Sequence, residues 1–442
     1  MFFSRKKLYF ATRETSSIKM ILELLLPTIA YLVTVLLLYL LYNYWRNYTH
    51  WSKSGLPYIP FPRDSVFYPV HKVDTFKRFY DELAPHPVGG FYKMSRPYLM
   101  IRDPEIIRKI LVKDFSYFVN HGIQIFPDLD PVNQHVFNID DERWKGVRQK
   151  MAPIFTPQKL KMMWPLMIEC RDALGKYLDQ LIETRDQIEI RDVMSKFALD
   201  VIGTCGFGLE CDAIQNEDSE FRRVVSGGTT TQDSNLPAVR SFLRSTGLPL
   251  IRLLRLKRIP ETVDDFFLGL VRGAADAPAH ETTNRADIVQ HLVNAQRQEQ
   301  QALQSQNKTE PLMTESIVAS QAFVLFVAAF DTTSGTLGYC LYELSLHPEI
   351  MEKCRNEVKS VLEKNGGTMS YDCLKDMTYL QCVIDGIRFA QMEMKTALAF
   401  LITRYDFEPT ERTTVPLKFY RKSWLSIPEG GIWLRLKRRP AA

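Results

Sequence analysis

Four consecutive polar residues, Asp331, Thr332, Thr333 and Ser334, interrupt an otherwise apolar run, and a carboxyl beside a hydroxyl can hold and pass a proton. Buried without partners, such groups are costly, so they must be bonded or used. The plain alternative is that Thr332 and Thr333 donate to carbonyls one turn earlier and bend the helix. A second pair, Trp144 and Arg148, is spaced four apart, which puts both on one helical face. A guanidinium there can take a carboxylate through charge-assisted bonds, or simply lay its stem along the indole at the surface. The seven cysteines are odd in number and scattered, without CxxC pairs or a zinc spacing, so no metal ligand set is expected and a reducing compartment suits them. Cys205 and Cys211 read as small buried hydrophobes.

The elements that carry these residues follow from periodicity. Residues 314–347 keep helical spacing throughout: Thr314 can cap the start, an apolar run fills 322–330, Leu337, Leu341 and Leu344 continue the face, and Pro348 stops it. At 1.5 Å per residue this helix spans roughly 50 Å, enough to cross a large domain. Asp141 and Glu142 place acids in the first turn of the helix that presents Trp144 and Arg148. Further helices are expected at 104–112, 163–184, 190–207, 287–304 and 392–405, with strands at 89–93 and 97–101. Residues 118–139 lack a period and form a long loop, and 236–270 is amphipathic, suited to a lip dipping into a membrane surface. The stretches 118–137 and 236–260 read as apolar, without distinctive polar groups, and so imply lipophilic ligands.

At 442 residues the chain can bury a large, mainly helical core with a small sheet portion. The net charge of +5 is spread through the sequence apart from a basic end at Arg435 to Arg439, which excludes a nucleic-acid face and favours a negative membrane or an acidic partner. No charge occurs from Leu24 to Trp45, a stretch of roughly 33 Å as a helix, so residues 20–45 are expected to be a membrane anchor. A cleaved signal peptide is the alternative, but the stretch is long for one and lacks a small-residue cleavage site. A proline-rich hinge is expected over 46–62. Arg5, Lys6, Lys7, Arg13 and Lys19 precede the anchor, whereas Arg46, Lys53 and Arg63 follow it closely. Residues 1–19 would draw the N-terminus to the cytosol; translation from Met20 instead leaves the body there.

The segment Ala328-Ala329-Phe330-Asp331-Thr332-Thr333 resembles the distal-pocket motif of cytochromes P450, with Ala329 where that family usually has glycine. Residues 148–156 resemble the continuation of that family's WxxxR helix, 200–208 resemble its insect detoxifying members, 55–62 resemble its microsomal proline hinge, and 416–419 with 431–435 resemble its closing hairpin. The resemblance implies a P450 fold over 63–442, a haem held by Trp144 and Arg148 through a propionate, and proton relay by Asp331 and Thr332. It also implies electrons from NADPH through NADPH-cytochrome P450 reductase, lipophilic substrates, and an endoplasmic reticulum membrane with the body facing the cytosol. The pattern breaks at 385/386. After Asp385 that family continues with Glu-x-x-Arg and later Phe-x-x-Gly-x-Arg-x-Cys, whose thiolate binds iron. Neither follows; Gly386 to Glu393 look like the residues just beyond the missing cysteine. Cys382 is nearest the join, without a glycine-rich loop to shelter it. The chain is therefore expected to be inactive as written, either a P450 with a lost segment or a non-catalytic membrane-anchored isoform or gene-model artefact.

Overall fold

The computed structural model describes residues 2–60, 72–93, 96–209, 212–216, 223–224, 250–276, 288–305, 311–384, 388–420 and 427–440. The chain forms two compact units, one of residues 1–115 with 238–251 and one of 116–237 with 252–442.

In the first unit, α1 (Phe2–Tyr48) is one helix that contains the uncharged stretch and runs back through the basic residues before it. Within the helical span Leu25–Ser54 the most apolar 18-residue window has a mean hydropathy of 2.1 and is 0% buried, which makes the span long and apolar enough to cross a membrane. Within 46–62 helix persists through a short turn at His50–Ser54, and extended chain begins only after Gly55. Helix α2 (Lys72–Glu82) follows, then the antiparallel strands β1 (Val88–Lys93) and β2 (Arg96–Ile101), paired from Val88↔Ile101 to Lys93↔Arg96. The helix expected over 104–112 holds its α form only in α3 (Pro104–Arg108), capped by the Asp103 carboxylate, and then widens into a π-turn. The end of α1 is tied to β1. The Tyr92 hydroxyl donates to Tyr48 O at 2.7 Å and accepts from Trp51 N at 3.1 Å, while the Trp51 indole donates to Phe91 O. A Cβ on Gly90 would stand 2.4 Å from the Trp51 ring, so only glycine lets the indole lie there.

The second unit is built around the long helix. Its elements are α4 (Asp141–Met151), α5 (Pro157–Thr184), β3 (Ile188–Glu189), α6 (Ile190–Val201), α7 (Glu261–Asp276), α8 (Ile288–Ser305), α9 (Glu315–Leu346), α10 (Pro348–Lys364), α11 (Thr378–Ile384), α12 (Arg388–Arg404), β4 (Tyr405–Pro409) and β5 (Trp433–Arg438). The chain is thus mainly helical with small sheets. Helix α5 begins earlier than the apolar period suggests because Pro157 suits the first helical position, and α6 gives way to a π-turn at Ile202–Gly206. Helix α9 begins where Thr314 accepts from Ile317 N at 3.3 Å and ends just before Pro348, as its spacing implies. It packs most extensively along α6, and also against α7, α12 and β4. Gly338 faces α6, where a Cβ would lie 3.4 Å from Ile432 Cδ1 and 3.5 Å from Arg191 Cβ, ordinary contact distances with little room beyond.

The closing hairpin expected between 416–419 and 431–435 does not form as such. Strand β5 sits between β3 and β4 in an antiparallel sheet, from Tyr405↔Arg438 to Pro409↔Leu434 on one side and at Ile188↔Leu434 on the other, while Phe419↔Pro428 is an isolated bridge. Strand β4 wins because it leaves α12 directly and alternates buried Tyr405 and Phe407 toward the core. The join at 385/386 lies outside the described residues, as do 236–249 of the amphipathic stretch.

Candidate functional site

On α9 the polar cluster divides between two faces. Thr332 is exposed, and its hydroxyl donates to Ala328 O at 2.5 Å, the back-bond that its type and place allow. Thr336 repeats the pattern on Thr332 O at 2.8 Å. Asp331 turns instead toward α6, where the Arg191 guanidinium lies 3.6 Å away. Burial pushes the Asp331 carboxyl above its usual range, and the Arg191 cation pulls it back. Ser334 donates to Asp331 O at 3.4 Å, whereas the buried Thr333 hydroxyl has no hydrogen-bond partner among the described residues. Val327, Ala328 and Thr332 are exposed on a helix that is otherwise largely buried, leaving one open strip along it.

On α4, Val147 and Met151 face the core, Trp144 is half-buried against it, and Arg148 is exposed. Its guanidinium has no hydrogen bond or ion pair with any described residue, so it is available to an external carboxylate beside the indole. Gly146 brings α4 close to the segment entering α9, since a Cβ there would meet Leu312 Cδ2 at 2.5 Å.

The loop before α4 corrects the reading of an apolar, featureless segment. Asp130, Asn133, Gln134, His135 and Asn138 are all buried. The Asp130 carboxylate accepts from Arg258 N and Ile259 N at 2.6 and 2.9 Å, and Asp264 accepts from Val132 N at 3.4 Å. Asn138 Nδ2 reaches Asn133 Oδ1 at 2.8 Å and His135 Nε2 at 3.0 Å. Because an amide nitrogen only donates, His135 Nε2 accepts there and its proton sits on Nδ1. Burial, helped by the Arg258 charge, pushes the imidazole down to about 3 and keeps it neutral. Single-sequence reading misses this knot because its members follow no period and the partners of Asp130 and Val132 lie more than a hundred residues away.

Among the described residues five of the six cysteines are buried, and burial holds four of them as thiols. Burial pushes Cys170 and Cys340 up to about 12, Cys354 to about 11, and Cys205 well above its usual range. Cys373 is buried and donates to Ser370 O, and Cys382 is exposed on α11. Cys211 lies outside the described residues. Among the described residues, Trp144 and Arg148 stand where a carboxylate such as a haem propionate could be met, and all six cysteines lie on helical segments, with none on a loop that would present a thiolate to iron. A Glu-x-x-Arg tetrad does occur earlier, on α10. Arg355, buried there, meets Glu352, donates to Ile402 O at 2.5 Å and pairs with Asp406 at 2.9 Å, which ties α10 to the start of the sheet.

Comparison with known proteins gives a match to the cytochrome P450 family over residues 65–385. Cytochrome P450 6a2 of Drosophila melanogaster is 33% identical over 364 residues, covering 80% of this chain and 71% of the relative. Probable cytochrome P450 6a20 of the same fly is 31% identical, covering 90% and 82%. Probable cytochrome P450 6a14 is 28% identical over 491 residues, covering 89% of this chain and 96% of the relative. That last span exceeds the 442 residues of the whole chain, so it includes positions where the relative has a residue and this chain has none.

Proposed function

The chain belongs to the cytochrome P450 family, of insect type, and on that premise we propose that it is the product of a membrane-bound haem-thiolate monooxygenase gene, shorn of the segment that ligates iron and inactive as written. The intact form oxidises lipophilic small molecules with electrons from NADPH through a reductase, at the endoplasmic reticulum with its body in the cytosol. One observation carries the reading of a lost segment. The family match ends at Asp385, the residue after which the sequence departs from the family's order, and the span shared with a relative is longer than this chain.

In the intact form a bound haem supplies the iron at which dioxygen is activated. What this chain's own residues contribute can be stated without it. Arg148 offers an unpaired guanidinium to a carboxylate, with Trp144 beside it closing off water. Thr332 holds its proton on Ala328 O and exposes its oxygen on the open strip of α9, so it can take a second donor and release its own proton by a simple rotation. Asp331 is held by Arg191, and a swing away from that cation is the motion that would bring its carboxyl to the Thr332 side.

The purified chain, reduced and exposed to carbon monoxide, is expected to show no thiolate-type absorbance. Such a band would overturn the inactivity, and full-length transcripts locate the cause. Genomic sequence encoding Glu-x-x-Arg and the cysteine loop between the Asp385 and Gly386 codons supports the lost segment. Its absence supports the second reading, a genuine non-catalytic membrane protein.

A further inference from the structure

The loop before α4 and the helix α9 meet at a side chain that plays no part above. Gln321 is 0% exposed, and its carboxamide makes three hydrogen bonds. Oε1 accepts from Val136 N at 2.8 Å, and Nε2 donates to Gln134 O at 3.2 Å and to Ile317 O at 2.9 Å. Only this orientation of the amide is consistent, because the reverse sets donor against donor and acceptor against acceptor. Residues 134 and 136 lie in the bend between the 3-10 turn at Pro131–Asn133 and the turn over 136–138, so the side-chain amide pairs a backbone N–H and C=O that no regular element pairs. Around it Ser320 Oγ donates to Pro131 O at 3.0 Å, Gln134 Nε2 reaches Ser316 Oγ at 3.4 Å, and Arg143 donates to Gln134 Oε1 at 2.8 Å.

A continuous line of hydrogen bonds thus runs from α9 through the loop to Arg143, the residue before Trp144 on α4. Along α9, Gln321 lies roughly 16 Å before Thr332 at the helical rise. The intervening helix is rigid, so whatever fixes the loop at Gln321 fixes α4 relative to the open strip. The loop itself has little regular structure, and an untied backbone residue costs about 1–2 kcal/mol of conformational entropy to order.

We propose that Gln321 is a positioning residue: by clamping Gln134 and Val136 it sets α4, with the Trp144 and Arg148 face, in register with the Ala328 and Thr332 strip of α9. The functional meaning of that register rests on the haem-holding reading above, whereas the clamp can be measured without it.

The test uses the full chain in membranes, with hydrogen–deuterium exchange corrected for intrinsic rates. Gln321→Met keeps length and loses every bond; it is expected to raise exchange at least tenfold for 131–139 and the first turn of α4, with α12 unchanged. Gln321→Glu sets a carboxylate against two carbonyls and should behave likewise near pH 8, then recover protection at about pH 5 as the carboxyl gains a proton and can again donate. A side chain that merely fills space gives a protected Gln321→Met chain and no recovery of Gln321→Glu on acidification; either result overturns the proposal. If Gln321→Met fails to fold, the pH dependence of Gln321→Glu decides alone. Haemin titration, with Arg148→Ala as reference, is read separately. Failure of the unaltered chain to take up haemin counts against the haem-holding reading and leaves the exchange result standing.

Discussion

Glu393, on α12, is 1% exposed, and its Oε1 has no hydrogen-bond partner among the described residues. Burial alone holds its pKa well above the usual 4.5, so the folded chain keeps a proton that the unfolded chain releases. A raised carboxyl contributes stability that is complete below 4.5 and is lost as pH climbs toward the folded value. Glu393→Met, which removes the titration and keeps the volume, should raise stability at pH 8 by about 1–3 kcal/mol and flatten its fall above pH 5, as urea midpoints at several pH values would record. Unchanged pH dependence would mean that the carboxyl is hydrated. His135 acts with the opposite sign. Its pKa is lowered from 6.5 to about 3, so its contribution is present at neutral pH and is lost as the pH falls through that window. His135→Gln is expected to soften the acid-side loss in the same series, and an identical acid limb would assign that loss to other groups.

At the scale of elements, the contact of α6 with α9 leaves room at Gly338 for one more carbon beside Arg191 and Ile432, and little beyond. Gly338→Leu must push the helices apart, lengthening the Asp331–Arg191 pair; overpacking of this kind costs about 1–3 kcal/mol. A lower denaturant midpoint with unchanged slope is the expected signature, and no change would mean that the interface has slack. Helix α9 was legible in the sequence because its cap, apolar period and terminating proline all lie within its own span, and the Trp144–Arg148 spacing was legible for the same reason. Strand β3 was not, since two residues carry no pattern and Ile188 gains meaning only against Leu434. The same limit hid the Gln321 clamp, whose partner Val136 is 185 residues away. Thr332 shows a third case: its type foretold both a relay and a back-bond, and local sequence could not choose between them.

At the scale of the whole molecule, the proposed membrane anchoring sets the basic residues among 1–19 against Arg46, Lys53 and Arg63 for the cytosolic side. Chains starting at Met20 should insert with the body in the cytosol, and chains keeping residues 1–19 should insert in mixed or inverted fashion. Protease protection in microsomes separates the two, and equal protection would remove any role for the extension. The tie between α1 and β1 bears on a practical matter, where a soluble version of this protein can be cut. Tyr48 O and Trp51 complete hydrogen bonds of the first sheet, and the indole covers Gly90, so the end of α1 and the short turn His50–Ser54 are also masonry of the folded unit. A cut just after Trp45 spares these bonds, whereas a cut at Gly55 strips the indole from the sheet and leaves Phe91 and Tyr92 facing water.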